Sequence, residues 1–205
     1  MSGYLFLAVV VMVGISVDDL WRKVDRLRGR RWVNFVRGVV DTHATNINFS
    51  PSLTRKIVSV FRSPEEGALT CFDPEARKLF RRIVRGRVYN SDNALRGMCS
   101  ASRFALEGGE LGKGFGLKGR DMLLFWLGED TFPLDRHVLR ALGVRGLREV
   151  RRIQSSGSKY SVWKELVGGS EAGFKRWCCA VGLSKCAPYV DSHVRVEEEL
   201  GDRKG

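Results

Sequence analysis

Helical spacing of apolar residues dominates this chain and most constrains its fold. Apolar side chains recur every three or four residues over most of its length, as Leu20, Val24 and Leu27 do, which is typical of amphipathic helices. No segment alternates apolar and polar residues between hairpin turns, as paired strands would. The sequence therefore predicts an all-α fold, with helices over 17–28, 31–43, 52–61, 74–85, 92–106, 117–127, 135–142, 160–167 and 171–182.

Proline and glycine mark where these helices begin and end. Ser50, Ser63 and Asp73 each stand directly before a proline, and a capping side chain followed by proline is typical of a helix start. The sequence has no repeat and no clear linker, and the polar stretch 154–159 is expected to be a loop within a domain. Glycines that follow apolar runs are expected to stop helices: Gly67, Gly86, Gly108, Gly109 and Gly128.

The charge of the chain favours a partner that carries many phosphates. Lysine and arginine number 35 against 23 aspartates and glutamates, a formal net charge of +12. Such an excess is typical of proteins that bind nucleic acid, although a solvated basic surface or a thermophilic habit would also produce it. The 205 residues, 43% of them apolar, suit one domain or two small ones.

The first sixteen residues, MSGYLFLAVVVMVGIS, carry an apolar run of uncertain status. The run is shorter than the roughly 20 residues that span a bilayer, and it lacks the basic residues that open a signal peptide. It is either a buried strand or helix, or an extension upstream of a natural start at Met12. No membrane partner is expected.

Cysteine and histidine spacing predicts neither a disulfide framework nor a zinc site. The cysteines are odd in number, and no pair has the C-x-x-C spacing. The histidines are scattered along the chain, without the spacing of zinc ligands. The residues concerned are Cys71, Cys99, Cys178, Cys179 and Cys186, and His43, His137 and His193.

A glycine-rich turn precedes Lys118, in the stretch KGFGLK. A turn through Gly114, Phe115 and Gly116 that leads into a helix exposes backbone N–H groups, which suit one phosphate. Lys118 would lie in the first turn of that helix, where the helix dipole and partial burial both lower the pKa of an amine. Lys118 is therefore either a nucleophile or a simple phosphate contact.

Asp135 follows Lys118 by 17 residues, in the stretch PLDRH. Its plain role is that of an N-cap for the next helix. A capping carboxylate is held rigidly, so it could also face a reacting sugar. The apolar stretch 122–127, with Phe125 and Trp126, is expected to pack in the core and to hold both residues in place.

Together, KGFGLK and PLDRH resemble the signature of the helix-hairpin-helix DNA glycosylases. Two further stretches agree in order: VVDTHATNIN, 39–48, resembles the helix that endonuclease III relatives place near the flipped nucleotide, and VYNSDNALRG, 88–97, resembles their loop that enters the duplex. The resemblance covers roughly residues 30–185. It implies a helix-hairpin-helix over about 97–127, inside a central subdomain of residues 40–130. A second subdomain, 17–39 plus 131–205, would face it across an active-site cleft.

The resemblance also assigns roles to individual residues. Lys118 would attack C1′ of the deoxyribose, and Asp135 would stabilise the positive charge that develops on the sugar. His43 or Val88 would fill the gap that the flipped nucleotide leaves. The full set of implied DNA contacts is Gly114, Phe115, Gly116, His43, Val88, Asn90 and Arg136.

Two features of the chain depart from the families that it resembles. Endonuclease III relatives hold an iron–sulfur cluster with four C-terminal cysteines, but here only Cys179 and Cys186 are in register, and Tyr189 and Arg195 stand at the next positions. No cluster and no catalytic metal is expected, although a structural monovalent cation on hairpin carbonyls is compatible with the resemblance. Because it lacks the cluster cysteines and is short, the chain is more similar to archaeal-type 8-oxoguanine DNA glycosylase/lyases. Members of that family often end in a lysine, which here is followed by Gly205.

The resemblance implies base-excision repair of damaged double-stranded DNA by a monomer, in the cytoplasm or nucleoid of a prokaryote. The enzyme would remove an oxidised base, 8-oxoguanine, through a lysine Schiff base and would cleave the strand by β-elimination. Three alternatives stay open: an endonuclease III-like enzyme for oxidised pyrimidines, a glycosylase that activates water, and a helix-hairpin-helix module that binds DNA without catalysis.

Overall fold

The computed structural model of the chain describes residues 17–46 and 49–181. Within them the only strand-like pairing is one isolated antiparallel bridge, between Ala44 and Val88, so the predicted all-α class is confirmed. The apolar run 1–16 and the positions of Cys186, Tyr189 and Arg195 lie outside the described residues. The helices are α1 (Val17–Leu27), α2 (Trp32–His43), α3 (Ser50–Val60), α4 (Pro64–Ala68), a 3-10 helix (Leu69–Cys71), α5 (Pro74–Val84), α6 (Ser91–Glu107), α7 (Leu117–Trp126), α8 (Arg136–Ala141), α9 (Leu147–Gln154), α10 (Gly157–Glu165) and α11 (Glu171–Val181).

Two of the three predicted caps before proline are confirmed. The Ser63 hydroxyl accepts from Glu66 N at 3.3 Å, and the Asp73 carboxylate accepts from Glu75 N at 2.8 Å. The expectation for Ser50 is wrong, because Ser50 is already helical and its hydroxyl caps nothing.

Helices α4 and α9 were not predicted, and Gly67 has a different role from the one expected. Gly67 does not stop a helix but lies inside α4, where a Cβ would come within 2.6 Å of the Trp32 ring. Helix α9 was missed because only Leu147, Val150 and Ile153 interrupt its charged sequence. The polar loop expected over 154–159 shrinks to residues 155–156, between α9 and α10.

The described residues pack in two hydrophobic clusters that share α7. The first cluster joins α1 to the segment after α7 and to helices α8 to α11, and the second joins α2, α3, α5 and α6. Phe125 and Trp126 of α7 belong to the first cluster, and Leu123 belongs to the second. The clusters do not divide the chain between residues 39 and 40, because the buried apolar residues on both sides of that point in α2 lie in the second cluster.

Helices α2 and α7 cross at close range because each carries a glycine where they meet. A Cβ on Gly38 would lie 2.4 Å from Leu123 Cδ1 and 2.9 Å from Leu123 Cα, and one on Gly119 would lie 2.6 Å from Thr42 Cγ2. The crossing brings the first turn of α7 against the last turn of α2. These two helix ends carry the candidate site.

A disulfide joins Cys71, at the end of the 3-10 helix, to Cys99 in α6. Cys178 is also disulfide-bonded, whereas Cys179 is free and exposed. The expectation of no disulfides is therefore wrong: an odd number of cysteines leaves one over but does not prevent the others from pairing. Among the described helices, none is long and apolar enough to cross a membrane.

Candidate active site

The turn between α6 and α7, residues 108–116, is fixed by contact with the α6 backbone. Gly114 has φ +111°, and a Cβ there would lie 2.4 Å from Gly97 N, so a larger residue is excluded on two grounds. Gly116 is the N-cap of α7 and offers no capping side chain. Phe115 points inward and packs in the second cluster. The turn therefore presents backbone at an uncapped helix N-terminus, the arrangement that favours an anion.

Lys118 lies in the first turn of α7, and its amine points inward to the end of α2. Its Nζ donates to the Asp41 carbonyl oxygen at 3.2 Å. In a continuing helix that carbonyl would accept from Thr45 N, but Thr45 N donates instead to Arg87 O at 2.9 Å. The bridge between residues 43–45 and 87–89 thus makes a helix-end carbonyl available to the lysine.

Burial lowers the pKa of the Lys118 amine below that of an ordinary lysine. The carboxylates of Asp135 and Asp41 oppose this shift by raising the pKa, and the Arg136 guanidinium adds to it by lowering the pKa. The lowered pKa expected from the sequence is therefore found, with burial as its main cause. A larger fraction of this amine is neutral, and so nucleophilic, than in an exposed lysine.

Asp135 is the N-cap of α8, as predicted. Its Oδ1 accepts from His137 N at 2.8 Å and from Val138 N at 2.9 Å. Its Oδ2 accepts no hydrogen bond from the described part of the chain. The half-buried carboxylate is thus held by one oxygen, while it raises the pKa of Lys118. One rigid anion close to one activated amine is the central feature of the site.

A buried ion pair that was not predicted from the sequence lies next to Lys118. Asp41 Oδ2 accepts from Trp126 Nε1 at 2.9 Å and lies 3.7 Å from Arg37 Nε. The Arg37 guanidinium stacks over the Trp126 ring, 3.7 Å from its centre. The available signal was an opposite-charge pair four residues apart on an otherwise apolar helix. The pair fixes charge of both signs beneath the amine.

His43, at the C-terminal end of α2, lies beside Lys118 and the glycine turn. Its ring centre is 6.2 Å from that of Phe115, and its Nε2 would lie 2.9 Å from a Cβ on Gly97. Burial, and then the charge of Lys118, lower the His43 pKa to about 4, against the opposing effect of a hydrogen bond to the Gly114 backbone. The imidazole is therefore neutral at physiological pH.

The loop before α6 projects a tyrosine rather than the expected valine. Val88 is half-buried, pairs with Ala44 and packs on the second cluster. Tyr89 is 73% exposed and is anchored by its own N–H, which donates to the His43 carbonyl oxygen at 3.0 Å. Asn90 caps α6 by accepting from Asp92 N and Asn93 N, each at 2.9 Å. Tyr89, which the sequence interpretation passed over, is thus the large side chain that this loop offers to a partner.

Arg136 adds positive charge beside the site, and a separate cavity lies on the outer face of α6. Arg136 is exposed and close enough to Lys118 to lower its pKa. A cavity of about 750 Å³ lies between α5, α6 and the turn, lined in part by Arg96, Arg103 and Lys113. It does not include Lys118 or Asp135. Its lining also carries Asp92, Glu107 and Glu110, so the charge of the cavity is mixed.

No metal site can be assigned within residues 17–46 and 49–181, where no three side chains of His, Cys, Asp or Glu are grouped to hold an ion. When the chain is compared with protein-family models, curated proteins and solved structures, nothing matches it.

Proposed function

We propose that this protein is a bifunctional DNA glycosylase/AP lyase that acts in base-excision repair. The observation that carries the proposal is that the Asp135 carboxylate lies close enough to the Lys118 amine to raise its pKa. The lysine has a lowered pKa, and the carboxylate that acts on it is held rigidly as the N-cap of α8. Lys118 itself lies in the first turn of α7, whose N-terminus has no capping side chain. A module that only binds DNA has no use for a buried amine with lowered pKa, because a phosphate contact works best fully charged and exposed.

In this mechanism the neutral Lys118 amine attacks C1′ of the damaged nucleotide. Its lone pair forms the C1′–N bond while the glycosidic bond breaks. The base leaves with the two electrons of the glycosidic bond and takes up a proton. Asp135 stabilises the positive charge on the sugar during this step. The nitrogen then loses a proton and the sugar ring opens to a Schiff base. Removal of a C2′ proton expels the 3′ phosphate and cleaves the strand.

The DNA surface proposed around this centre uses charge and one inserted side chain. The N-terminus of α7 and the exposed Lys113 and Arg96 would hold phosphates. A nucleotide must leave the stack before its C1′ is accessible, at a cost of a few kcal/mol. Tyr89, exposed and anchored at its backbone, is the better candidate to fill the gap than the half-buried Val88. His43 lies between the glycine turn, where it is hydrogen-bonded to the Gly114 backbone, and the loop that presents Tyr89, whose N–H donates to the His43 carbonyl oxygen. As a neutral ring, it would contact the extruded nucleotide.

The test of the proposal is covalent trapping on DNA by borohydride, which requires a Schiff base. We expect the wild-type protein to be trapped on abasic-site DNA and Lys118→Gln to give no adduct while it still binds the DNA. Lys78→Gln, which removes an exposed lysine of α5, serves as the charge-matched control and should be trapped normally. Trapping of Lys118→Gln at the wild-type rate would assign the chemistry to another amine.

Asp135→Asn separates electrostatic catalysis from capping. Asparagine also caps helices well, so folding should be nearly unchanged. We expect the single-turnover rate to fall by about 10²–10³, the typical effect of one well-placed electrostatic group. A variant with lowered stability but a normal rate per folded molecule would reduce Asp135 to a structural cap.

We propose 8-oxoguanine as the preferred base, ahead of oxidised pyrimidines. The support is the residue pattern around Lys118 and Asp135 together with only two cysteines in cluster register. A panel of duplexes that carry 8-oxoguanine, thymine glycol, uracil or an abasic site, each with borohydride, tests the choice. Trapping on thymine glycol but not on 8-oxoguanine would select the endonuclease III-like alternative.

A further inference from the structure

The residue before Asp135 is held by two side chains from later helices. Leu134 N donates to the Tyr160 hydroxyl at 3.0 Å, and Leu134 O accepts from Gln154 Nε2 at 2.9 Å. Leu134 itself is fully buried. Both backbone groups of the residue next to Asp135 are therefore fixed by the fold.

The Tyr160 hydroxyl is in turn tied to the helix that carries Lys118. It donates to Asp121 Oδ2 at 2.8 Å, and Asp121 lies one turn after Lys118 on α7. Lys164 Nζ donates to the same Asp121 oxygen at 2.7 Å, and the Thr131 hydroxyl donates to the other at 3.0 Å. Each partner of the Asp121 carboxylate thus limits its movement.

These contacts connect the helix that carries Lys118 to the residue next to Asp135. Lys118 and Asp135 lie 17 positions apart, and the chain between them includes the non-helical segment 127–134. Without a cross-connection, that segment alone would set their spacing. The connection through Asp121, Tyr160 and Leu134 replaces it with a helix turn and two short hydrogen bonds, the kind of rigid support that a reacting pair needs.

We propose that Tyr160, oriented by Asp121, is a positioning residue that sets the distance between the Asp135 carboxylate and the Lys118 amine. This inference rests on the proposed function, because it assigns Tyr160 a part in the same reaction. Tyr160 touches neither the sugar nor the base, and acts only through Leu134.

The electrostatics of the network agree with this role. Burial first, and then the Asp121 carboxylate, raise the pKa of Tyr160 well above that of a free tyrosine, so the hydroxyl stays protonated and keeps donating to Asp121. Asp135 raises the pKa of both Tyr160 and Lys118. The carboxylate is thus close to the positioning hydroxyl and to the amine at once.

Tyr160→Phe tests the proposal, since it removes the hydroxyl and keeps the ring that fills this buried place. We expect the single-turnover rate of base release, the step that Asp135 assists, to fall about tenfold or more on the duplex that wild type cuts best, with Kd for that DNA within twofold of wild type. If Asp135 relaxes away from Lys118, the amine loses a charge that raises its pKa. The midpoint of the pH–rate profile should therefore move to lower pH.

A double-mutant cycle separates positioning from a general loss of stability. In the Asp135→Asn background, Tyr160→Phe should change the rate less than twofold, because its target is already gone. Val167→Ala, which removes fully buried volume from the same hydrophobic cluster and leaves the hydrogen-bond partners of Leu134 in place, is the control for stability. It should lower Tm and leave the pH midpoint unmoved. An unmoved midpoint in Tyr160→Phe, with rate effects that multiply across the cycle, would overturn the proposal.

A measurement without DNA keeps this inference distinct from the proposed function. The pH dependence of reductive methylation of Lys118 by formaldehyde, followed by mass spectrometry, reports the pKa of the amine in the free protein. Tyr160→Phe should lower it, and an unchanged value would refute positioning even in an active enzyme. A lowered value in a protein that traps no DNA would support positioning and refute the glycosylase. Should Tyr160→Phe fail to fold, Gln154→Met, which releases Leu134 O instead, replaces it in each measurement.

Discussion

At the scale of single residues, the site is defined by what surrounds each charge rather than by residue type. Lys118 and the exposed Lys113 stand five residues apart, yet only Lys118 has its amine drawn inward to a helix-end carbonyl. Burial thus distinguishes an amine with a lowered pKa from an ordinary exposed lysine. The same cause acts on His43, and there it has a consequence for stability.

His43 should make the protein less stable in mild acid. Its pKa is about 4 when folded and about 6.5 when unfolded, so between these values only the unfolded chain takes up the proton. The stability that depends on neutral His43 is therefore lost progressively as pH falls from 6.5 to about 4, and this group causes no further loss below that. From pH 7 to pH 5 the loss is about 2 kcal/mol.

Urea denaturation of wild type and His43→Gln at both pH values measures this loss. The variant, which cannot titrate there, should lose less stability than wild type over the same interval by about that amount. Equal losses in the two proteins would mean that His43 keeps an ordinary pKa in the folded state.

At the scale of helices, the site depends on how closely α2 and α7 approach. Gly38 allows Leu123 to pack directly on the α2 backbone, and Gly119 allows Thr42 to pack directly on the α7 backbone. The hydrogen bond from Lys118 to Asp41 spans the same crossing. Any side chain that separates the helices must also lengthen that bond.

Gly38→Ala should therefore destabilise the fold and impair the site together. The added Cβ would meet Leu123 Cα at 2.9 Å, and overpacking of this kind costs about 1–3 kcal/mol. Gly157→Ala is the matched control, because a Cβ there meets nothing within 4 Å and alanine favours the helix. Thermal unfolding should show a lower Tm for the first variant and an equal or higher Tm for the second. A neutral Gly38→Ala would show that the two helices separate without cost.

The helices were predictable from sequence where local signals agree, and the site only in part. Apolar periodicity and the Asp73 cap are local, so α2 and α5 were placed within a residue or two. Lys118 and Asp135 could be named because each lies in a recognisable short stretch. The roles of Tyr89, Asp41 and Tyr160 could not be predicted, because they depend on the Ala44–Val88 bridge, on burial of the Asp41 charge and on a contact between helices distant in sequence.

At the scale of the whole molecule, a covalent bond reinforces the second hydrophobic cluster but not the site itself. The Cys71–Cys99 disulfide, whose two cysteines line the cavity that does not include Lys118, joins positions 28 residues apart. It limits the freedom of the unfolded chain, which is the main way a cross-link of this length stabilises a fold. Lys118 and Asp135 lie outside the loop that this bond closes.

Replacing both cysteines should lower stability without changing the chemistry. Loop-closure entropy for about this length corresponds to roughly 3–4 kcal/mol, so Cys71→Ala/Cys99→Ala should unfold at a distinctly lower temperature than the oxidised wild type. Addition of reductant should remove most of the difference, and this comparison discounts the separate bond at Cys178. A difference in Tm that persisted in reductant would point to lost packing instead of a lost cross-link.

The bridge between residues 43–45 and 87–89 couples the local opening of these two irregular segments. Thr45 N donates to Arg87 O and Tyr89 N donates to His43 O, in opposite directions across one pairing. Neither amide hydrogen can exchange with deuterium from the solvent until the pairing opens, and its opening releases both amides. Hydrogen exchange should therefore find Thr45 and Tyr89 protected to the same degree, although neither lies in a helix, and a fast Thr45 beside a slow Tyr89 would argue against a common opening. The end of α2 beside Lys118 and the loop that presents Tyr89 would then loosen in a single event.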